Sequence, residues 1–75
     1  PLIIVTSATL GSINSAVLTA LYAKSLGLKV LGFIMNYFDK DNIIHQDNYK
    51  MIEKLSGYKV LGYLEKNGDE IKRFI

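Results

Sequence analysis

Thr6, Ser7, Thr9, Ser12 and Asn14 crowd around Gly11 in one short loop, directly after the apolar run Leu2–Val5. The set offers hydroxyls, an amide and free backbone N–H groups, with no strong acid or base, so it suits holding a ligand rather than breaking a bond. A second candidate is Asn36, which closes the apolar run Leu28–Met35 and has Tyr37 and Phe38 beside it. Each has a plain structural alternative. Asn14 reads equally as a capping or first-turn residue, the loop hydroxyls as partners of local backbone groups, Asn36 as a strand-ending residue, and Tyr37 and Phe38 as rings packed on the sheet end. His45 stands alone, without a nucleophile or a second histidine at metal-binding spacing, and reads as a solvated imidazole. Asp39 and Asp41 imitate the first carboxylates of a calcium loop, but no glycine or terminal glutamate follows at the required offsets. Neither a catalytic residue nor a metal site is expected in this segment.

The elements that must position these residues alternate. Leu2–Val5 is short and rich in β-branched residues, the pattern of a strand covered on both faces. Ser12 is placed to cap a helix whose stripe is Ile13, Val17, Ala20, Leu21 and Lys24, widened by Leu18 and Tyr22. Gly27 ends it in the left-handed conformation. Leu28–Met35 is a second strand, with Gly32 allowing close backbone approach. Asp41 or Asn42 caps a second helix, with Ile44, Asn48, Met51, Ile52 and Leu55 on one face, ended by Ser56-Gly57. Lys59–Leu64 is a third strand, Asn67-Gly68 a turn, and residues 69–75 a short amphipathic tail that could form a last helix. The order β-α-β-α-β(α) predicts a parallel sheet. If the strands are added in one direction, right-handed crossovers put both helices on one face and leave the other bare. A face that apolar is normally sandwiched, so the segment reads as a single partial domain, residues 1–75, of a larger three-layer, doubly wound domain.

Composition narrows the function classes. The 75 residues carry a net charge of +2, with the lysines scattered and no basic stripe to suggest nucleic acid. The absence of cysteine removes disulfide scaffolds and thiolate metal sites. No apolar run approaches the ~20 residues that span a membrane. Pro1 leads straight into a strand with no initiator methionine, basic leader or cleavage signature, which predicts a piece cut from something longer, with nothing to suggest export.

Three stretches together resemble a known family: the run from Pro1 through L-G-S-I-N-S-A-V-L-T, the strand G-L-K-V-L-G-F-I-M-N, and the closing K-V-L-G-Y-L. They are similar to the C-terminal half of dethiobiotin synthetase, over residues 1 to about 64. Related P-loop amidoligases share much of this plan. The resemblance implies a P-loop NTPase-like α/β domain, a cytoplasmic homodimer, and a ligase that uses ATP, Mg2+ and carbon dioxide to close the ureido ring of dethiobiotin from 7,8-diaminopelargonic acid in biotin biosynthesis.

On that resemblance, Leu10, Gly11, Ser12, Ile13 and Asn14 form the loop that reaches the diaminopelargonate carboxylate of the partner subunit. Asn36 reads the adenine, presenting a donor and acceptor pair to its edge, with Tyr37 beside it. Gly62, Tyr63 and Leu64 form the second adenine-side segment. Two positions depart from the family pattern: Ser15 replaces its histidine and Glu65 its proline, which puts the second nucleotide contact in question. The glycine-rich phosphate loop, active-site lysine and magnesium-binding acids of the family have no counterpart in these residues. The competing reading is a non-catalytic nucleotide-binding or regulatory half-domain of a related P-loop family.

Overall fold

A computed structural model describes residues 1–9, 12–65 and 70–73. The elements run β1 (Leu2–Ser7), α1 (Ile13–Ser25), β2 (Val30–Asn36), α2 (Ile43–Ser56), β3 (Val60–Tyr63) and β4 (Lys72–Arg73). The first three strands pair in parallel in the order β1-β2-β3, each joined to the next through a helix. β4 pairs antiparallel with β3, Gly62 opposite Arg73 and Tyr63 opposite Lys72. The expected last helix is therefore not formed at residues 70–73. The amphipathic pattern of that tail is too short to hold a helix by itself, since nucleating one is costly, and pairing with β3 decides the outcome.

α1 and α2 pack against each other and against the same face of the sheet. Ile4, Phe33, Met35 and Val60 supply the sheet side of the core, and Ala16, Ala20, Ala23 and Ile52 the helix side. The opposite sheet face is bare: Ile3 and Val5 are 47% and 64% exposed. One-directional winding has the consequence expected of it, and these residues form two layers of the three-layer plan.

Both helices sit rotated from their sequence-based faces. α1 buries Ala16, Val17, Ala20 and Ala23, while Leu18, Leu21 and Tyr22 point outward. α2 buries Asn48, Ile52 and Ser56, leaving Ile44, Met51 and Leu55 exposed. Alanines let α1 lie close to the sheet, where bulkier side chains would have to overpack.

The ends are set by local chemistry. Beyond α1, the N–H of Leu28 donates to the carbonyl of Ala23 and that of Gly27 to Lys24, with Gly27 at φ +79°. This is the Schellman arrangement, in which a left-handed glycine satisfies the last carbonyls. Gly57 closes α2 at φ +80°. Asn42 caps α2, its Oδ1 accepting from the N–H groups of Ile44 at 2.9 Å and His45 at 3.3 Å. Ser12 occupies the equivalent place on α1 but makes no such bond. Its own backbone is already helical, at φ −94° and ψ −11°, whereas a capping side chain reaches the first-turn N–H groups from an extended backbone.

Two register shifts shape the middle of the sheet, one between β1 and β2 at Leu2/Ile3 and one between β2 and β3 at Phe33/Ile34. Gly32 lies between them at φ +152°. A Cβ there would stand 2.5 Å from the Lys59 carbonyl oxygen and 2.9 Å from the Leu61 side chain. Glycine is required both by the backbone angle and by the neighbouring strand.

Candidate functional site

The carboxyl ends of β1, β2 and β3 are laced together by main-chain bonds. The N–H of Ala8 donates to the carbonyl of Asn36 at 2.8 Å, and that of Phe38 to the carbonyl of Leu64 at 2.9 Å. The three segments singled out in the sequence therefore leave the sheet side by side. Among the described residues they form one polar rim, and at its β2 and β3 ends Tyr37, Phe38, Asp39 and Glu65, with His45 of α2, line a cleft of about 240 Å³.

At the β1 end, Ser7, Thr9 and Ser12 form a chain of hydroxyls. Ser7 and Thr9 share a bond of 3.0 Å, Thr9 and Ser12 one of 3.4 Å, and the N–H of Thr9 donates to the Ser7 oxygen at 3.2 Å. These hydroxyls satisfy one another and the local backbone, which is the plainer of their two readings. Asn14 stands exposed in the first turn of α1 and Ile13 is half-buried. Leu10 and Gly11 lie outside the described residues.

At the β2 end the chain turns sharply. Tyr37 sits at φ +58°, the left-handed region that a bulky side chain occupies at a cost. Its N–H donates to Oδ1 of Asn36 at 2.9 Å, so the side chain of Asn36 steadies the turn with its oxygen, and its amide nitrogen has no partner among the described residues. Phe38 is buried beneath the rim, its ring 4.8 Å from that of Tyr63 and 6.5 Å from that of Tyr49. Tyr37, by contrast, is 53% exposed and lies on the cleft wall.

The β3 segment is more enclosed. Gly62 is buried beneath β4, where a Cβ would stand 2.5 Å from the Lys72 carbonyl oxygen. The half-buried ring of Tyr63 packs on Phe38. Leu64 holds the Asn36 turn through its main chain, its N–H donating to the carbonyl of Met35 at 2.8 Å and its carbonyl accepting from Phe38. Glu65 reaches the cleft and forms an ion pair with Lys72 of β4. The Lys72 hydrogen bond, reinforced by its charge, holds the Glu65 carboxyl below its ordinary range, and the same contact raises the Lys72 ammonium. On α2, burial, with Glu53 nearby, pushes the Tyr49 phenol up.

Two residues matter here that periodicity and motif did not single out for the rim. His45 is half-buried rather than solvated: its Nδ1 accepts from the N–H of Asp39 at 2.9 Å, and its ring lies 6.0 Å from Phe38. Asn48 is 4% exposed and donates through Nδ2 to the carbonyl of Ala8 at 2.9 Å. A polar residue on the inward face of a helix was the available signal, because a buried amide needs a partner.

Among the described residues no group of three or more His, Asp or Glu side chains could hold a metal ion. No helix among them is long and apolar enough to cross a membrane. What the rim can supply is hydrogen bonding and an aromatic wall at the carboxyl edge of a parallel sheet, where open α/β domains take their ligands.

The arrangement is an α/β fold with a mostly parallel sheet, and the comparison with known families is specific. Residues 1–72 match the AAA domain family, to which this chain belongs. It is 46% identical over 69 residues to the ATP-dependent dethiobiotin synthetase BioD of Clostridium perfringens, covering 92% of this chain and 30% of that protein. It is 52% identical over 62 residues to the same-named protein of Brachyspira hyodysenteriae, covering 83% of this chain and 28% of the relative. A third, from Anoxybacillus flavithermus, is 49% identical over 63 residues, with 83% and 28% coverage. The chain thus spans less than a third of the length of these relatives.

Proposed function

We propose that these residues are one segment of the domain of a dethiobiotin synthetase, supplying recognition of the adenine of ATP and a substrate loop that crosses to a partner subunit. The observation that carries this reading is the lacing of the three strand ends, with an available Asn36 amide nitrogen and an exposed Tyr37 at the rim. The relatives named for that ATP-dependent activity match across nearly the whole chain.

In this reading Asn36 donates through Nδ2 to a ring nitrogen of the base, and its oxygen stays committed to the Tyr37 N–H. The same oxygen has a second lone pair that can accept from the exocyclic amine of the base, so Asn36 presents both a donor and an acceptor to the adenine edge. Tyr37 offers its ring as a wall, and Leu64 fixes the turn from the neighbouring strand. Gly62 and Tyr63 act from beneath, holding Phe38 and hence the turn in place. Glu65, where the family carries a proline, adds a carboxylate to the cleft wall. At the other end of the rim, the loop of Leu10, Gly11, Ser12, Ile13 and Asn14 receives the diaminopelargonate carboxylate through the Asn14 amide and the N–H groups at the start of α1, whose positive end favours an anion. ATP with Mg2+ and carbon dioxide complete the reaction in the whole protein, and the ligands of the ion belong to residues outside this segment.

The test is Asn36→Ala in the intact protein, with ATP affinity read by titration calorimetry. Loss of a buried hydrogen-bonding partner predicts affinity weakened by about 1–3 kcal/mol, or roughly 5- to 150-fold. Unchanged affinity would reject Asn36 as the base reader.

A further inference from the structure

Ala8 is fully buried and is the first residue beyond β1, and both of its main-chain polar groups are bound to other elements. Its N–H goes to the carbonyl of Asn36 and its carbonyl accepts from Asn48, which is 40 positions away on α2. Asn48 and Ser56 are the only buried polar residues among those described. An amide placed there must justify its desolvation through its bond, and an apolar residue would satisfy the core equally well. The loop that begins at Thr9 therefore departs from a point fixed by α2.

The turn at Asn36 is secured by different groups: Oδ1 of Asn36 with Tyr37, the main-chain bond from Phe38 to Leu64, and the Phe38 ring against Tyr63. The two halves are joined by the bond from the Ala8 N–H to the Asn36 carbonyl, and each also has an anchor of its own, Asn48 for the β1 half and Leu64 with Tyr63 for the other. We infer that Asn48 is a positioning residue for Thr9 and for the Ser12–Asn14 turn that begins α1, setting where they stand toward the carboxylate substrate without touching it. The inference deepens the synthetase reading and rests on it for the identity of that substrate.

The experiment uses the intact protein with Asn48→Leu, near in size but without a donor, and Asn48→Ser, which leaves less bulk and a short polar group. Leaving the Ala8 carbonyl unpaired predicts amide exchange at Thr9 and Ser12 faster by about tenfold, with Tyr37 and Phe38 changed less than about twofold. The KM for diaminopelargonate should rise by a similar factor while the KM for ATP holds. Equal changes at both halves of the rim, or lowered thermal stability with both KM values and the exchange pattern unchanged, would overturn the role. If the unaltered protein makes no dethiobiotin, the synthetase reading fails, and the exchange pattern alone then decides whether Asn48 anchors the loop. If neither variant folds, the side-chain amide resonances of Asn48 in the unaltered protein decide. They should shift on adding diaminopelargonate and stay in place with ATP alone, and resonances unmoved by diaminopelargonate would count against the inference.

Discussion

Substituting Gly32 and Gly27 separately by alanine tests whether the middle of the sheet is held by backbone angle alone or also by space. Both glycines have positive φ, +152° and +79°, but a Cβ at Gly27 meets nothing within 4 Å, whereas one at Gly32 meets the Lys59 carbonyl oxygen at 2.5 Å and Leu61 at 2.9 Å. Gly27→Ala should cost only the left-handed penalty, about 1–2 kcal/mol. Gly32→Ala carries a glycine-only backbone region at about 1–3 kcal/mol. It also displaces the Lys59 carbonyl, which accepts from the N–H of Phe33 at 2.9 Å, for a further ~0.5–1.5 kcal/mol. Moving Leu61 off its rotamer adds about 0.5–1.5 kcal/mol. The total centres near ~4 kcal/mol, a large part of the 5–15 kcal/mol typical of a folded protein. Urea unfolding of the two variants of the intact protein, followed by circular dichroism, measures the difference. Because β2 carries Asn36, the destabilised variant should also lose ATP affinity. If Gly32→Ala costs no more than Gly27→Ala, the spatial argument is wrong and the register of β2 against β3 does not depend on that close approach.

Removing the Asn42 cap by Asn42→Ala should destabilise the protein by about 1 kcal/mol, whereas Ser12→Ala, with no capping bond to lose, should stay within about 0.5 kcal/mol; paired denaturation curves compare them. The Glu65–Lys72 contact should titrate from both sides. Glu65 is held low in the folded protein, so its contribution is present above the unfolded pKa and disappears as pH falls through the folded one. Lys72 is held high, so its contribution is present below its unfolded pKa and is lost as pH rises through the folded value. Carboxyl carbon shifts should give Glu65 a midpoint below that of an unpaired glutamate, and Lys72→Ala should return it to the ordinary range. A midpoint unmoved by Lys72→Ala would show that the pair does not persist in water.

The β-α-β-α-β order and the bare sheet face were legible because they follow from apolar run length, glycine stops and the handedness of crossovers. The rim was legible for a related reason: Asn36 and the Thr6–Asn14 loop fall where apolar runs end, and strand ends are where a parallel sheet exposes its main chain. What escaped were features decided by a partner in another element or loop. β4 exists only through Gly62 and Tyr63. The solvated reading of His45 missed the Asp39 N–H that its ring accepts, and the apolar stripe that included Asn48 gave no sign of Ala8. Helix faces failed differently. Leu18 and Tyr22 looked like core by hydrophobicity, but the close approach of α1 to the sheet favours small Ala16 and Ala20.

β1 is the edge strand of the described sheet, paired on one side only. Its sequence, L-I-I-V-T-S, carries no charge and no internal proline, and a short uncharged β-rich segment with an open row of N–H and C=O groups is a template for strand addition by other chains. Pro1, just outside the strand, is the nearest residue able to blunt that edge. An edge of this kind favours strand addition by another chain, and pairing or covering it removes the template.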